Sequence, residues 1–387
     1  MSRIKDICSI ATNRKGYEYS CGIWKRSLRG IFPSPSGVYW SLYAAGCLMH
    51  GDYGALKRIR NKHSIINYYY AWSLYFCGKF DLCVNELNKV LYIYPDHYES
   101  KILLADCMSE LHCKNEAFNI LETILFREKT WIKFSNIIDN CDDFERMNDN
   151  FHMSTQKGII NNNNPVVLEH LAMGAMRCGL YEQAVKIWEM MLNKGIMCLP
   201  KRAPLLNAEH AREALAALQK ECAKKELSLF LISGTLLGLI RNGSFLSHDT
   251  DLDTGIFDGF SPDVLREAIY NAGCFSIMPQ RSPHCIRVRH ANGTPIDIFT
   301  HYRDSDDYWH RGVKVSWHNS PFKLKTARFL GIDVNIPDNP EKYLEENYGD
   351  GWRIPAHHFD SALDCPNSRV ENEDELYIHR LKARLTA

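Results

Sequence analysis

A chain of 387 residues has room for two domains, each with a core of its own. Forty-six Lys and Arg balance forty-six Asp and Glu, and 45% of the residues are hydrophobic, so composition points to neither a nucleic-acid binder nor a disordered protein. The fourteen Cys are scattered without a Cys-x-x-Cys pair; Cys77, Cys83, Cys107 and Cys113 fall where helices are expected, as reduced thiols in a cytosol would rather than a disulfide framework or zinc site.

Residues 1–36 form a basic leader: Arg3, Lys5, Arg14, Lys15, Lys25, Arg26 and Arg29 face only Asp6 and Glu18. Such a leader suits contact with anionic lipid, a peripheral membrane association, or with a polyanionic product; a solvated tail is the simpler expectation. Met1 to Arg14 lacks the apolar stretch of a signal peptide. Pro33-Ser-Pro-Ser-Gly37 marks the first boundary.

Residues 37–198 read as helical with an internal repeat. Gly78-Lys-Phe-Asp-Leu-Cys83 is echoed 34 residues on by His112-Cys-Lys-Asn-Glu-Ala117, and again by Gly179-Leu-Tyr-Glu-Gln-Ala184; Gly51-Asp-Tyr53 looks like an earlier copy. This period, with its Gly, aromatic and small residues and a trailing Pro95, resembles tetratricopeptide repeats, although the unit between Phe126 and Gly158 is degenerate. The resemblance implies a concave surface for a protein partner or a glycan. Trp72 and Tyr75 are expected to fill the groove between paired helices. The aromatics Tyr68-Tyr-Tyr70 and Tyr92 to Tyr98 are read as packing before sugar stacking.

Two prolines in Leu199-Pro-Lys-Arg-Ala-Pro204 mark a linker into the second domain, 199–387. Asn207 caps a predicted helix to about Glu226, with Ala211, Leu215, Leu218 and Cys222 on one face. The run Leu227 to Ile232 then reads as a buried strand, and Ser233-Gly-Thr235 breaks it before one or two helical turns, Leu236 to Arg241. Leu227 to Ile240 is the longest apolar stretch, and it is interrupted and too short to span a bilayer. Gly234 lets backbone N–H groups approach an anion, and the helix that follows adds a favourable dipole, so Gly234, Thr235 and Arg241 are candidate ligands for a donor phosphate.

Asp249, Asp251 and Asp253 follow at strict alternation. On a strand, Asp251 and Asp253 share a face and repel unless a cation lies between them; carboxylate oxygens of this kind suit Mg²⁺ or Mn²⁺ that also holds phosphates. A helix from Pro262 to about Ala272 and strands near 274–278, 284–290 and 295–301 complete an α/β domain with a mixed sheet. Asp297 lies between Ile296 and Ile298, a charge among core residues, and reads as a third metal ligand or a general base. Arg287 and Arg289 alternate on one strand and could grip phosphate in bidentate fashion or form a solvated face. His248 is either a ligand or a brace for its loop and is left out of the metal set, as are His310, His318, His357 and His358. Trp309, Trp317 and Trp352 could shape a nucleotide or glycan pocket, with core packing the default.

Gly234-Thr-Leu-Leu-Gly-x-x-Arg241, His248-Asp-x-Asp-x-Asp253 and Ile296-Asp297-Ile298 resemble, in order, motifs of the LicD/fukutin family of nucleotidyltransferase-fold proteins. Phe329 to Pro337 and Asn339-Pro-Glu-Lys-Tyr-Leu-Glu-Glu-Asn-Tyr-Gly-Asp-Gly-Trp-Arg-Ile-Pro355 look like its closing motif, and the likeness covers about 205–360. Where the family often has consecutive Asp, this chain has Asp249-Thr250-Asp251, which leaves the role of Asp249 open. The expected architecture is thus an α-helical tetratricopeptide-like solenoid followed by an α/β nucleotidyltransferase-like domain. The resemblance implies metal-dependent transfer of phosphocholine or a polyol phosphate from a CDP-linked donor to a polysaccharide or glycolipid hydroxyl, with release of CMP. Asp251, Asp253 and Asp297 would be its catalytic and metal-holding residues. Bacterial members decorate capsule, teichoic acid or lipopolysaccharide; with no anchor of the kind the animal members carry, a cytoplasmic chain at the inner face of the membrane is expected. The competing expectations are a nucleotidyltransferase that modifies a small molecule or protein, and a repeat scaffold with an inert α/β domain.

Overall fold

The computed structural model describes residues 10, 18–31, 34–197, 205–356 and 359–386. Most of the leader up to 17, the linker 199–204, His357 and His358 lie outside the described residues. The chain divides into two compact units, one of residues 1–200 with 380–387, the other of 201–379. Residues 380–387, expected with the second domain, therefore group with the first. Among the described residues no helix is long and apolar enough to cross a membrane.

The first unit is helical throughout. Helical pairs begin at 65, 98, 128 and 165: Ile65–Phe76 with Phe80–Ile93, Tyr98–Glu110 with Lys114–Glu122, Glu128–Asn136 with Cys141–Gln156, and Pro165–Arg177 with Tyr181–Asn193. The repeated sequence motif has a plain physical cause. Gly78 (φ 66°), His112 (φ 58°) and Gly179 (φ 75°) each stand in the left-handed region where the first helix of a pair stops. The degenerate third pair uses a different device: Asn140 caps the second helix, its Oδ1 accepting from the Asp143 N–H at 3.0 Å. Tyr68 and Tyr69 are buried, in keeping with packing, whereas Tyr92 is exposed. Trp72 packs against Tyr75 and Phe76 at 5.6 and 5.4 Å between ring centres.

Part of the leader is not a solvated tail. Glu18–Ser27 is a helix with Cys21 and Ile23 buried. Trp24 donates to Ser41 Oγ at 2.8 Å, and Ser27 Oγ lies 2.7 Å from the Tyr69 hydroxyl. Its basic residues, Lys25 and Arg26, drew the reading toward a solvated tail, although Cys21, Ile23 and Trp24 stand beside them. At the other end of the chain, Lys382 pairs with Glu169 at 3.3 Å and lies 5.1 Å over the Trp188 ring.

The second unit is built on a mixed sheet. Its strands are β1 (Phe230–Leu231), β2 (Leu252–Phe257), β3 (Phe275–Ile277), β4 (Cys285–His290), β5 (Pro295–Arg303), β6 (Tyr308–Arg311), β7 (Val315–Asn319), β8 (Leu324–Phe329), β9 (Ile332–Pro337) and β10 (Ser368–Val370). They lie in the order β10-β7-β6-β5-β2-β1-β9-β8, with β4 pairing both β5 and β3. β2 runs parallel to β5, while β4 and β6 run antiparallel to it. The long β5 serves both parts of the sheet: 295–299 face β4, and Tyr302 and Arg303 face β6. Helix Ala208–Lys224 is capped by Asn207, whose side chain accepts from the N–H groups of Glu209 and His210. Pro262–Ala272 starts with Ser261 and ends at left-handed Gly273. Leu215, Leu218, Phe230, Ile269, Ile296, Ile298 and Leu344 meet in one core, each large side chain contributing about 1.5–3 kcal/mol of burial.

The first strand is shorter than expected, Phe230–Leu231 alone. Residues two apart along 249–253 do not share a strand face either: β2 begins at Leu252, so only Asp253 of the three Asp lies on it, and Asp251 occupies the bend just before.

Candidate active site

β1 leads directly into the helix Ser233–Asn242. Ser233 turns the corner at φ 46°, a left-handed conformation that costs an L-residue about 1–2 kcal/mol. That corner brings the Gly234 N–H to Asp253 Oδ2 at 3.2 Å. In return the Asp253 N–H donates to Thr235 Oγ1 at 2.8 Å. Thr235 is 1% exposed, so its hydroxyl serves β2 rather than solvent. Gly234 leaves space that a side chain would fill: a Cβ there would lie 3.4 Å from Asp253 Oδ2 and 3.6 Å from Asp249 Oδ1.

The parallel pairing of β2 and β5 puts Asp253 opposite Asp297, and the Thr254 hydroxyl ties the strands by donating to the Asp297 carbonyl at 2.9 Å. β4 then places Arg287 opposite Asp297. The Arg287 Nε donates to Asp297 Oδ1 at 2.8 Å, and a terminal guanidinium nitrogen stands 3.9 Å from Asp251 Oδ2. Strand register thus sets Asp253 beside the distant Asp297, and one arginine links Asp297 to Asp251. Asp249 joins them from the loop, where its Oδ2 accepts the Leu246 N–H at 3.0 Å.

The electrostatics follow from crowding. Burial pushes the Asp253 carboxyl well above the usual carboxylate range, and the charges of Asp251, Asp297 and Asp249 push it further. Asp249 is raised by burial, against the Leu246 N–H and the neighbouring His248 and Arg241. Asp297, 9% exposed, is also raised by burial, which outweighs its pairing with Arg287. Hard carboxylate oxygens that carry more negative charge than Arg287 neutralises suit a divalent cation such as Mg²⁺ or Mn²⁺. Among the described residues no group of three or more His, Cys, Asp or Glu is already disposed to hold a metal ion.

Beside the carboxylates lies a cavity of about 180 Å³, lined by Gly234, Arg241, His248, Asp249, Tyr348 and Trp352 among others. Arg241 reaches across it to the Trp352 carbonyl at 3.4 Å, and its Nε is buried with no hydrogen-bond partner. Of the expected phosphate ligands, Gly234 and Arg241 line this cavity, Thr235 braces β2, and Arg287 serves the carboxylates. Arg289 stands opposite Pro295, two residues further along β4. Sequence reasoning missed Tyr348 and Phe359, which pack at 5.1 Å and close one side of the cavity. Burial, then the nearby Asp253, keeps the Tyr348 phenol protonated far above its usual range. The signal for Tyr348 was the run Tyr348-Gly-Asp-Gly-Trp352. Of the three Trp, only Trp352 lines the cavity; Trp309 and Trp317 stack on His318 and His310.

Replacing Thr235 by Val keeps its volume but leaves the Asp253 N–H without an acceptor, a loss of about 1–3 kcal/mol. The expected result is a Tm lower by roughly 3–8 °C, with kcat falling more than KM rises. An unchanged melting curve would contradict this role for the hydroxyl.

A mixed sheet with carboxylates on two adjacent parallel strands, beside a Gly-Thr turn and a short helix, is the arrangement expected of a nucleotidyltransferase-type domain. Residues 226–339 match the family described as LicD/FKTN/FKRP, nucleotidyltransferase domain. The chain is similar to ribitol-5-phosphate transferase FKTN of Mus musculus, 28% identical over 173 residues, which is 41% of this chain and 36% of that protein. The same protein of Macaca fascicularis is 27% identical and that of Homo sapiens 26%, each over 171 residues, with the same shares covered. The chain spans about a third of the length of the curated relatives it matches.

Proposed function

We propose that the α/β unit is a phosphotransferase that moves a phospho-substituent, a polyol phosphate or phosphocholine, from a CDP-linked donor to a glycan hydroxyl. The observation that carries this reading is that Asp253 stands opposite Asp297, with Arg287 between Asp297 and Asp251, near the cavity lined by Gly234 and Arg241. The name of the FKTN relatives supports ribitol phosphate as the group transferred.

In this reading the cavity takes the donor. Arg241, with its unpartnered Nε, faces the phosphates, and Tyr348 and Trp352 exclude water around them. Asp251, Asp253 and Asp297 would hold Mg²⁺ or Mn²⁺. When bound, the ion neutralises the phosphates and aligns the acceptor oxygen with the leaving group. Asp297, whose carboxyl burial makes more basic than an ordinary aspartate, accepts the acceptor hydroxyl's proton. A bond then forms between that oxygen and the transferred phosphorus, and the bond to the CMP oxygen breaks. The helical unit, read as tetratricopeptide-like, offers its surface to the glycan or to a protein partner.

Incubating the full chain and Mn²⁺ with CDP-ribitol, CDP-glycerol and CDP-choline, each with a glycan acceptor, tests the proposal. CMP release with a phosphodiester on the acceptor is expected. Pyrophosphate release from a nucleoside triphosphate, with a nucleotide on the acceptor, would instead establish a nucleotidyltransferase.

A further inference from the structure

Arg287 occupies an unusual place for a phosphate ligand. Its guanidinium bridges Asp297 at 2.8 Å and Asp251 at 3.9 Å, two of the three carboxylates given above to the divalent cation. A guanidinium and a metal ion on these oxygens compete for the same lone pairs and the same negative charge. Arginine keeps its proton at any working pH, so it can yield only by moving. It has room to do so: its side chain is 45% exposed, whereas that of Asp297 is 13% exposed and held in the sheet.

We infer that Arg287 is a resident counter-cation of this site. It neutralises Asp297 and Asp251 while no divalent ion is bound, gives up both when the ion arrives, and then turns its freed guanidinium to the donor phosphates. This rests on the metal-holding role proposed for Asp251, Asp253 and Asp297, and adds that metal affinity is set by an arginine of the chain itself.

The test is Mn²⁺ binding to the full chain without donor, followed by the loss of the free-ion paramagnetic resonance signal. Arg287→Gln removes the competing charge, and its affinity should exceed that of the wild type by about five- to tenfold, the weight of one or two partly exposed ion pairs. A second measurement needs only the wild type: treatment with an arginine-selective α-dicarbonyl and mass mapping should show Arg287 modified several times faster with saturating Mn²⁺. This decides the matter even where the variant does not fold. Equal or weaker binding by a folded Arg287→Gln, or protection of Arg287 by Mn²⁺, would overturn the inference and leave the proposed function standing. Absence of Mn²⁺ binding by both proteins would overturn the inference and the metal-holding role together.

Discussion

Asp253→Asn should abolish turnover while making the folded protein more stable in metal-free buffer. The carboxylate is pushed far above its usual range by burial, then by Asp251, Asp297 and Asp249. In the folded state it therefore binds its proton more tightly than in the unfolded chain. Stability is then highest at low pH and is lost as pH rises from the ordinary carboxylate range through the raised folded value. Asparagine can still accept the Gly234 N–H and carries no charge, so it escapes that loss. The variant should melt above the wild type at pH 7–8 with a chelator present, and the gap should close as the pH falls. Turnover should drop by about a thousandfold or more, the scale of losing a group that stabilises the transition state. A variant that melts lower at pH 8, or keeps substantial turnover, would contradict this placement of Asp253. Such a trade of stability for chemistry is usual where like charges are assembled for catalysis.

Gly238→Ala should damage the same site through the backbone. A Cβ at 238 would lie 2.6 Å from the Ser244 carbonyl oxygen and 3.1 Å from the Leu246 nitrogen. Both are main-chain atoms, so no flexible side chain can yield. Forced overpacking of this kind costs about 1–3 kcal/mol or more. The displaced segment, Ser244 to Asp249, carries His248 and Asp249, and the Leu246 N–H is the group that fixes the Asp249 carboxylate. Urea unfolding should show the loss in midpoint, and CMP release should fall further than unfolding explains. Full stability and activity would show that the loop moves aside freely.

Some of this was legible in the sequence because it is local. The strand broken by Ser233-Gly234-Thr235 and the acidic residue between Ile296 and Ile298 depend on neighbours along the chain. The ends of the helices at Gly78, His112 and Gly179 are local in the same sense. What was not legible depends on pairing between distant segments. Asp251 leaves the strand face because β2 starts one residue later. Arg287 becomes a partner of Asp297 only through the antiparallel register of β4 on β5. The cavity is closed by Tyr348 and Phe359, more than a hundred residues beyond Gly234. The docking of Glu18–Ser27 and of Lys382 rests on a few contacts that no periodicity announces.

The most direct measurement compares CMP release from a CDP-linked polyol by the wild type and by the Asp251→Asn, Asp253→Asn pair, with glycan acceptor and Mn²⁺. Acceptor-dependent CMP release by the wild type, abolished in the folded double variant, is the predicted result. Equal turnover in both, or a wild type inert toward every CDP-linked donor while its helical unit still binds a partner, would contradict a catalytic role for these carboxylates.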